Sequence, residues 1–198
     1  MIADGLHPVP RGKVATIVTH LDMRSKPALR QVDLPAGVNF TALTPDPEDY
    51  RDLFRRVGLQ EWLWFERMKL SDAEITALVA DPQVEMFTLL LDGRAEALLE
   101  LDFRRPNACE LAYFGVTRRL MGQGAGRFLM NEAITRAWDR PIAHFHVHTC
   151  TMDSPGALDF YRRSGFIPRR QEVEICDDPR VTGLLPRDAG AHIPIFEP

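Results

Sequence analysis

The sequence predicts an α/β fold, of the α+β kind, in which one mixed central sheet carries helices on both faces. Three observations predict it. From about residue 109 onward, strand-like and helix-like segments alternate, which favours some parallel pairing. Upstream, Asp92-Gly93 sits between two apolar runs and reads as a tight hairpin, so antiparallel strands join the same sheet. Within the alternating part lies one long helix with an apolar stripe. Ala125, Leu129, Ala133 and Ala137 recur at i, i+4 spacing, and Met130, Ile134 and Trp138 run beside them.

Each element follows from its residues. Residues 1–13 carry Gly5, Pro8, Pro10 and Gly12 and read as a lead-in. Residues 14–23 are rich in β-branched side chains (Val14, Thr16, Ile17, Val18, Thr19) and predict a strand. Residues 25–35 read as a connection and residues 40–43 as a short strand. Residues 47–57 predict a helix, with Asp46 as N-cap and Pro47 at the first helical position. Residues 71–79 predict a second, because Ser71 and Glu74 make a capping box and Asp81-Pro82 stops the helix. Strands follow at 85–91, 95–104 and 109–116, the last after a turn at Pro106-Asn107. Then come the long helix at 124–138, a strand at 142–150, a helix at 155–163 and a strand at 166–175. The tail, 176–198, is rich in Pro and Gly and shows no period. No internal repeat or low-complexity segment appears.

Length and composition narrow the function. A chain of 198 residues fits a single domain, 1–198, with its core at about 85–175. The net charge of −4 argues against nucleic acid as the main partner, although Arg118, Arg119 and Arg127 are close enough in sequence to line a local basic groove. Cys109, Cys150 and Cys176 share no metal-like spacing, so no metal is expected and reduced thiols are the plain reading. No apolar run approaches the roughly 20 residues of a spanning helix, and the N-terminus lacks an apolar signal region. A cytoplasmic protein with no membrane partner is expected.

The most informative stretch is Met121-Gly-Gln-Gly-Ala-Gly126, between a strand and the long helix. Glycines there let the backbone turn sharply and keep Cβ atoms away from a ligand. The helix start adds unpaired N–H groups and a positive dipole, a combination that binds phosphate. The spacing is G-x-G-x-G, one residue short of the dinucleotide fingerprint, and Gly126 is followed by Arg127-Phe128 rather than the Lys of a P-loop. The plainer alternative is a tight turn with no ligand.

The segments Glu110-Leu-Ala-Tyr-Phe-Gly-Val116 and Gly122-Gln-Gly-Ala-Gly-Arg-Phe-Leu-Met130 resemble the acetyl-CoA motif of the GNAT N-acetyltransferase superfamily: a strand, a gap, R/Q-x-x-G-x-G/A and a helix. Downstream, Asp153-Ser-Pro-Gly-Ala-Leu-Asp-Phe-Tyr161 and Arg162-Arg-Ser-Gly-Phe166 resemble that superfamily's second signature. Two motifs in the right order and separation are more specific than either alone. One departure is Met121, where Arg or Gln is usual; Gln123 and Arg127 are nearby polar substitutes.

The resemblance implies a GNAT-like fold, acetyl-CoA as cosubstrate, and transfer of acetyl to a primary amine. It places the coenzyme on Phe114, Gly115, Val116, Gly122, Gln123, Gly124, Ala125, Gly126, Arg127, Ser154, Ala157 and Tyr161, with Gly115 permitting close approach of the pantetheine arm. Acetyl transfer needs a base to deprotonate an amine of pKa about 10.4, an N–H donor for the developing oxyanion, and an acid for the leaving thiolate. The resemblance assigns the acid to Tyr161, a phenol still protonated at neutral pH; a core aromatic is the bland alternative. Glu110 is the candidate base, with Glu100 and Asp102 as rivals and a structural carboxylate as the alternative. His144, His146 and His148 alternate on one strand and read as sheet-face histidines. Trp62, Trp64 and Phe65 are core aromatics that also suit an acceptor pocket.

The acceptor is expected to be a small-molecule or peptide amine, and the mild negative charge suits a cationic one. Edge strands and the tail are surfaces through which a homodimer can form. A coenzyme A-binding sensor without turnover is the second reading, and a nucleotide-phosphate site on an unrelated fold the third.

Overall fold

The computed structural model describes residues 3–59 and 61–198. Its strands are β1 (Lys13–Met23), β2 (Val38–Ala42), β3 (Val84–Leu91), β4 (Arg94–Ala95), β5 (Ala97–Asp102), β6 (Ala108–Val116), β7 (His144–Cys150) and β8 (Ile167–Asp177). Its helices are α1 (Pro47–Phe54), α2 (Asp72–Ala80), α3 (Ala125–Trp138) and α4 (Ala157–Arg163). The strands form one mixed sheet in the order β2-β3-β5-β6-β7-β1-β8, with β4 beside β3. All pairings are antiparallel except β6 with β7. No helix among the described residues is long and apolar enough to cross a membrane.

Strand alternation distributes the core over both faces. Ala97, Leu99 and Leu101 of β5 enter a core with Leu129, Ala133, Ile134 and Ala137 of α3. Leu98, between them, points the other way into a core with Tyr50, Leu53 and Phe54 of α1 and Ile75 of α2. The expected caps are made: Asp46 accepts from the Asp49 amide, and Ser71 and Glu74 exchange both bonds of a capping box. The hairpin places Asp92 at φ 53° and Gly93 at φ 75°, the left-handed pair its short turn requires.

Several boundaries differ from the sequence expectation. The helix expected over 47–57 leaves α geometry after Phe54 and continues as a π turn, Arg55–Leu59. Trp64 packs against that turn so closely that a Cβ on Gly58 would lie 2.0 Å from its Cε3. The strand expected over 95–104 breaks at Glu96, which is 1% exposed and held by Arg56, Thr117 and Arg119. The strand expected from 142 begins at His144, and the helix expected from 155 begins at Ala157. The tail lacks a period yet is built. Arg180, paired with Asp178, donates to the carbonyls of Ala189 and Ile193, while Leu185 and Ala189 pack on Leu59, Leu63 and Phe65.

The strand order carries one consequence for the site. β1 lies between β7 and β8, antiparallel to both, so the first strand of the chain is interior and the edges are β2 and β8.

Candidate active site

β6 and β7 pair only where Ala108–Glu110 meets His144–His146. Beyond Glu110 the two parallel strands separate, and the β6 edge from Leu111 to Val116 faces open space instead of a neighbour. A cavity of about 430 Å3 fills the opening. One side is β6 from Leu111 to Val116; the other is Val147, His148 and Cys150 of β7, with Asp153 and Ser154 beyond it. Gly126 and Met121 close one end, Ala157, Phe160, Tyr161 and Arg163 of α4 another, and Trp62 to Glu66 a further wall.

At the α3 end, Gly124 is the N-cap with φ 86° and Gly122 has φ 73°, both left-handed values that glycine adopts without strain. A Cβ on Gly122 or Gly126 would meet no protein atom within 4 Å. The first-turn amides of α3, at Ala125, Gly126 and Arg127, have no intrahelical acceptor. The loop leading in is anchored from behind: Thr117 and Arg119 both bond Glu96, Arg119 also pairs with Asp92, and Gln123 donates to the Arg119 carbonyl at 2.6 Å. Glu96 was not singled out from sequence, because nothing local marks a strand carboxylate as a buried anchor.

The basic groove suggested by Arg118, Arg119 and Arg127 does not form. Arg118 pairs with Glu61, Arg119 with Asp92 and Glu96, and Arg127 lies over the Phe160 ring and donates to Ser164. Burial, then the charges of Arg30 and Arg163, depress the Arg127 guanidinium below its ordinary pKa. Of these arginines, Arg163 borders the cavity, where its charge suits an anionic ligand. Arg30 and Arg163 escaped the sequence reading: Arg30 lies in a connection, and Arg163 fills an unspecified place within the second signature.

Gly115 lines the cavity, but its missing Cβ serves a different purpose from the one expected. A Cβ there would lie 2.5 Å from Val57 Cγ1 and 3.3 Å from Trp64 Cη2, so the protein's own side chains take that space.

Tyr161 is 7% exposed, within an aromatic cluster of Phe114, Phe160 and Phe166. Burial, and secondarily the charge of Asp153, push its phenol pKa up. Asp153 is fixed by Trp64 Nε1 at 2.7 Å, Thr149 Oγ1 at 2.7 Å and the Cys150 amide at 2.8 Å.

The carboxylates separate by environment. Glu100 is fully buried, accepting from Tyr50 and Arg67, and Asp102 is bound by Arg104; neither lines the cavity. Glu110 is half-buried and does not line it either. Its Oε1 lies 3.5 Å from His148 Nδ1, and His148 does line it. The contact with His148 holds the Glu110 carboxyl below its usual range, and the same contact raises His148. Among the described residues, no group of three His, Cys, Asp or Glu is placed to hold a metal.

A strand splay beside a glycine-capped helix start, with a buried tyrosine on the next helix, defines the scaffold of an acyl-coenzyme A-dependent transferase. The acetyltransferase (GNAT) family model matches residues 47–166, and the chain belongs to that family. Three solved structures are similar in fold. A GCN5-related N-acetyltransferase from Sphaerobacter thermophilus is 14% identical with a TM-score of 0.63, over 97% of this chain and 55% of that one. A GCN5-related N-acetyltransferase from Kribbella flavida is 18% identical with a TM-score of 0.55, over 87% of this chain and 63% of that one. A GNAT family acetyltransferase from Elizabethkingia anophelis with acetyl-CoA bound is 17% identical with a TM-score of 0.51, over 69% of this chain and 80% of that one. The chain thus spans little more than half the length of the first of these. No curated protein sequence matches it. The family and its fold support acyl transfer from acetyl-CoA.

Proposed function

We propose that this chain transfers the acetyl group of acetyl-CoA to a primary amine of a small molecule or peptide. The observation that carries the reading is a convergence. The open first turn of α3, the unpaired edge of β6 and the buried phenol of Tyr161 all border one cavity.

Bound acetyl-CoA supplies an activated acyl thioester. The amides of Gly122 to Arg127 hold its pyrophosphate, and Arg163 with Arg127 adds positive charge there. Phe114, Gly115 and Val116 offer strand hydrogen bonds to the pantetheine arm and an N–H toward the acyl oxygen. Ser154 and Ala157 close the cavity beside that arm. Tyr161 keeps its hydroxyl proton at neutral pH because burial disfavours the phenolate, and it delivers that proton to the departing sulfur. The paired Glu110 and His148, across the splay, serve the amine side. Trp62, Trp64 and Phe65 enclose the acceptor, while Glu66, Asp153 and Glu174 favour a cationic one.

The test is calorimetric titration with acetyl-CoA together with thiol release across amines, polyamines, aminoglycosides, amino acids and peptide N-termini. Micromolar binding with acceptor-dependent thiol release is expected. Binding without release by any acceptor would instead identify a coenzyme sensor, and no binding would refute the site.

A further inference from the structure

We propose that His148, rather than Glu110 itself, takes the proton from the acceptor ammonium, that Glu110 positions its imidazole, and that the proton leaves through the open groove beside β8. The inference rests on the function proposed above and assigns the acceptor half of that site.

Three observations carry it. First, of the contacting pair only His148 borders the cavity. Glu110 sits behind, with its Oε1 at 3.5 Å from Nδ1. A carboxylate facing Nδ1 at this range favours the proton on that nitrogen by its charge, which leaves Nε2 to accept one from the cavity side. Second, His148, Val18 and Glu174 line both the cavity and a second, solvent-open groove, so one imidazole stands at the boundary between them. The His148 side chain is 51% exposed, as that position requires. Third, the groove carries further proton carriers. The His20 ring lies 5.9 Å from the His148 ring, and His20 Nε2 contacts Glu172 Oε2 at 2.6 Å.

The rival carboxylates are spent elsewhere, Glu100 on Tyr50 and Arg67, Asp102 on Arg104. The charged and titratable groups facing His148 are Glu110 from β6, His146 on its own strand, Asp153 beyond β7, His20 from β1 and Glu174 from β8. The carboxylates outweigh burial and raise His148, the contact with Glu110 contributing most.

The proton count closes. An ammonium and a thioester become an amide and a thiol, with one proton released overall. Of the two protons the nitrogen loses, one goes to His148 and on to water through the groove. The other replaces the proton that Tyr161 gives to sulfur.

The test combines NMR titration of the histidine rings with pH profiles of thiol release, on the full chain. In the wild type His148 should titrate above about 6.5, the ordinary histidine value. The low-pH limb of kcat should follow that titration. Glu110→Gln should lower the His148 titration and move the limb to lower pH. His148→Gln should reduce kcat about 100-fold or more, leave the acetyl-CoA dissociation constant within about twofold, and abolish the limb. Exogenous imidazole should partly restore His148→Ala, and His144→Gln should leave the profile unchanged. A His148→Gln enzyme with wild-type kcat and limb overturns the inference and leaves the proposed function standing. So does a His148 titration indifferent to Glu110→Gln. A wild type that binds acetyl-CoA but releases no thiol overturns the function, and this inference with it.

Discussion

Two neighbouring glycines offer a direct test of the cradle, because the same substitution should act on them with opposite sign. Gly124 holds φ 86°, and a Cβ there would also sit 3.2 Å from Val32 Cγ2. The left-handed conformation costs a non-glycine residue about 1–2 kcal/mol. Gly124→Ala is therefore expected to destabilise the fold by about that much, slightly more once Val32 yields. Gly126 is inside α3, has no positive φ, and faces open space. There, alanine restricts the unfolded chain and gains up to about 1 kcal/mol of helix propensity, about half of it this close to the helix start. The two variants should thus differ by about 2 kcal/mol, or roughly 4–8 °C in Tm for a chain of this length. Thermal unfolding by circular dichroism reads that gap. Calorimetry with acetyl-CoA then separates turn from cradle. Gly126→Ala should bind nearly as well as the wild type, whereas Gly126→Leu should fold and lose at least about tenfold in affinity, about 1.4 kcal/mol. A Gly126→Leu protein that is stable and binds acetyl-CoA normally would refute the reasoning, since the open space at that position would then not be where the phosphates sit.

Other expectations follow from single contacts. Tyr161→Phe should lower kcat about 100-fold with the acetyl-CoA dissociation constant nearly unchanged, as stopped-flow thiol release and calorimetry would show; an unaltered kcat would remove the phenol from the chemistry. Arg163→Gln should weaken coenzyme binding several-fold and flatten its salt dependence, measured by titration at several ionic strengths. The Asp178–Arg180 pair is 1% exposed on both sides. Removing one partner, as in Arg180→Met, should cost about 3–5 kcal/mol in denaturant unfolding. Burial alone would raise the Asp178 carboxyl, yet the Arg180 contacts hold it below its ordinary value. The associated stability is present above the usual carboxylate range and fades as pH falls through the depressed value. Acid titration of unfolding should therefore show a low-pH loss that Asp178→Asn lacks.

What could be read in advance was local. The capping box at Ser71 and Glu74, the Asp46 cap, the Asp92-Gly93 turn and the α3 stripe are each set by residues within a turn or two, and each appears in the structure. The glycine loop was legible for the same reason. The unread features depend on distant partners. Glu96 is an anchor only because Arg56 and Arg119, far from it in sequence, each reach one of its carboxylate oxygens. Gly115 accommodates Val57 and Trp64, which a strand pattern cannot reveal. The tail has no period because it is held by one arginine bonding scattered carbonyls, not by a repeating ladder.

That division also separates the two halves of the site. The segment matched to the family, 47–166, contains the cradle, the splayed strands and Tyr161. Yet part of the wall assigned above to the acceptor lies outside it. β1 brings Val18 and His20, β8 brings Glu172 and Glu174, and the tail supports Leu63 from behind through Leu185 and Ala189. Because β1 is wedged between β7 and β8, the first strand of the chain sets the width of the groove that the last strand borders. On the function proposed above, the residues that meet the amine can therefore vary independently of those that meet the coenzyme. Acceptor preference should respond to exchanges at Val18, Glu174 and Trp62 while acetyl-CoA affinity stays constant. A panel of such variants whose coenzyme affinity and acceptor ranking shifted together would show the two halves to be one unit.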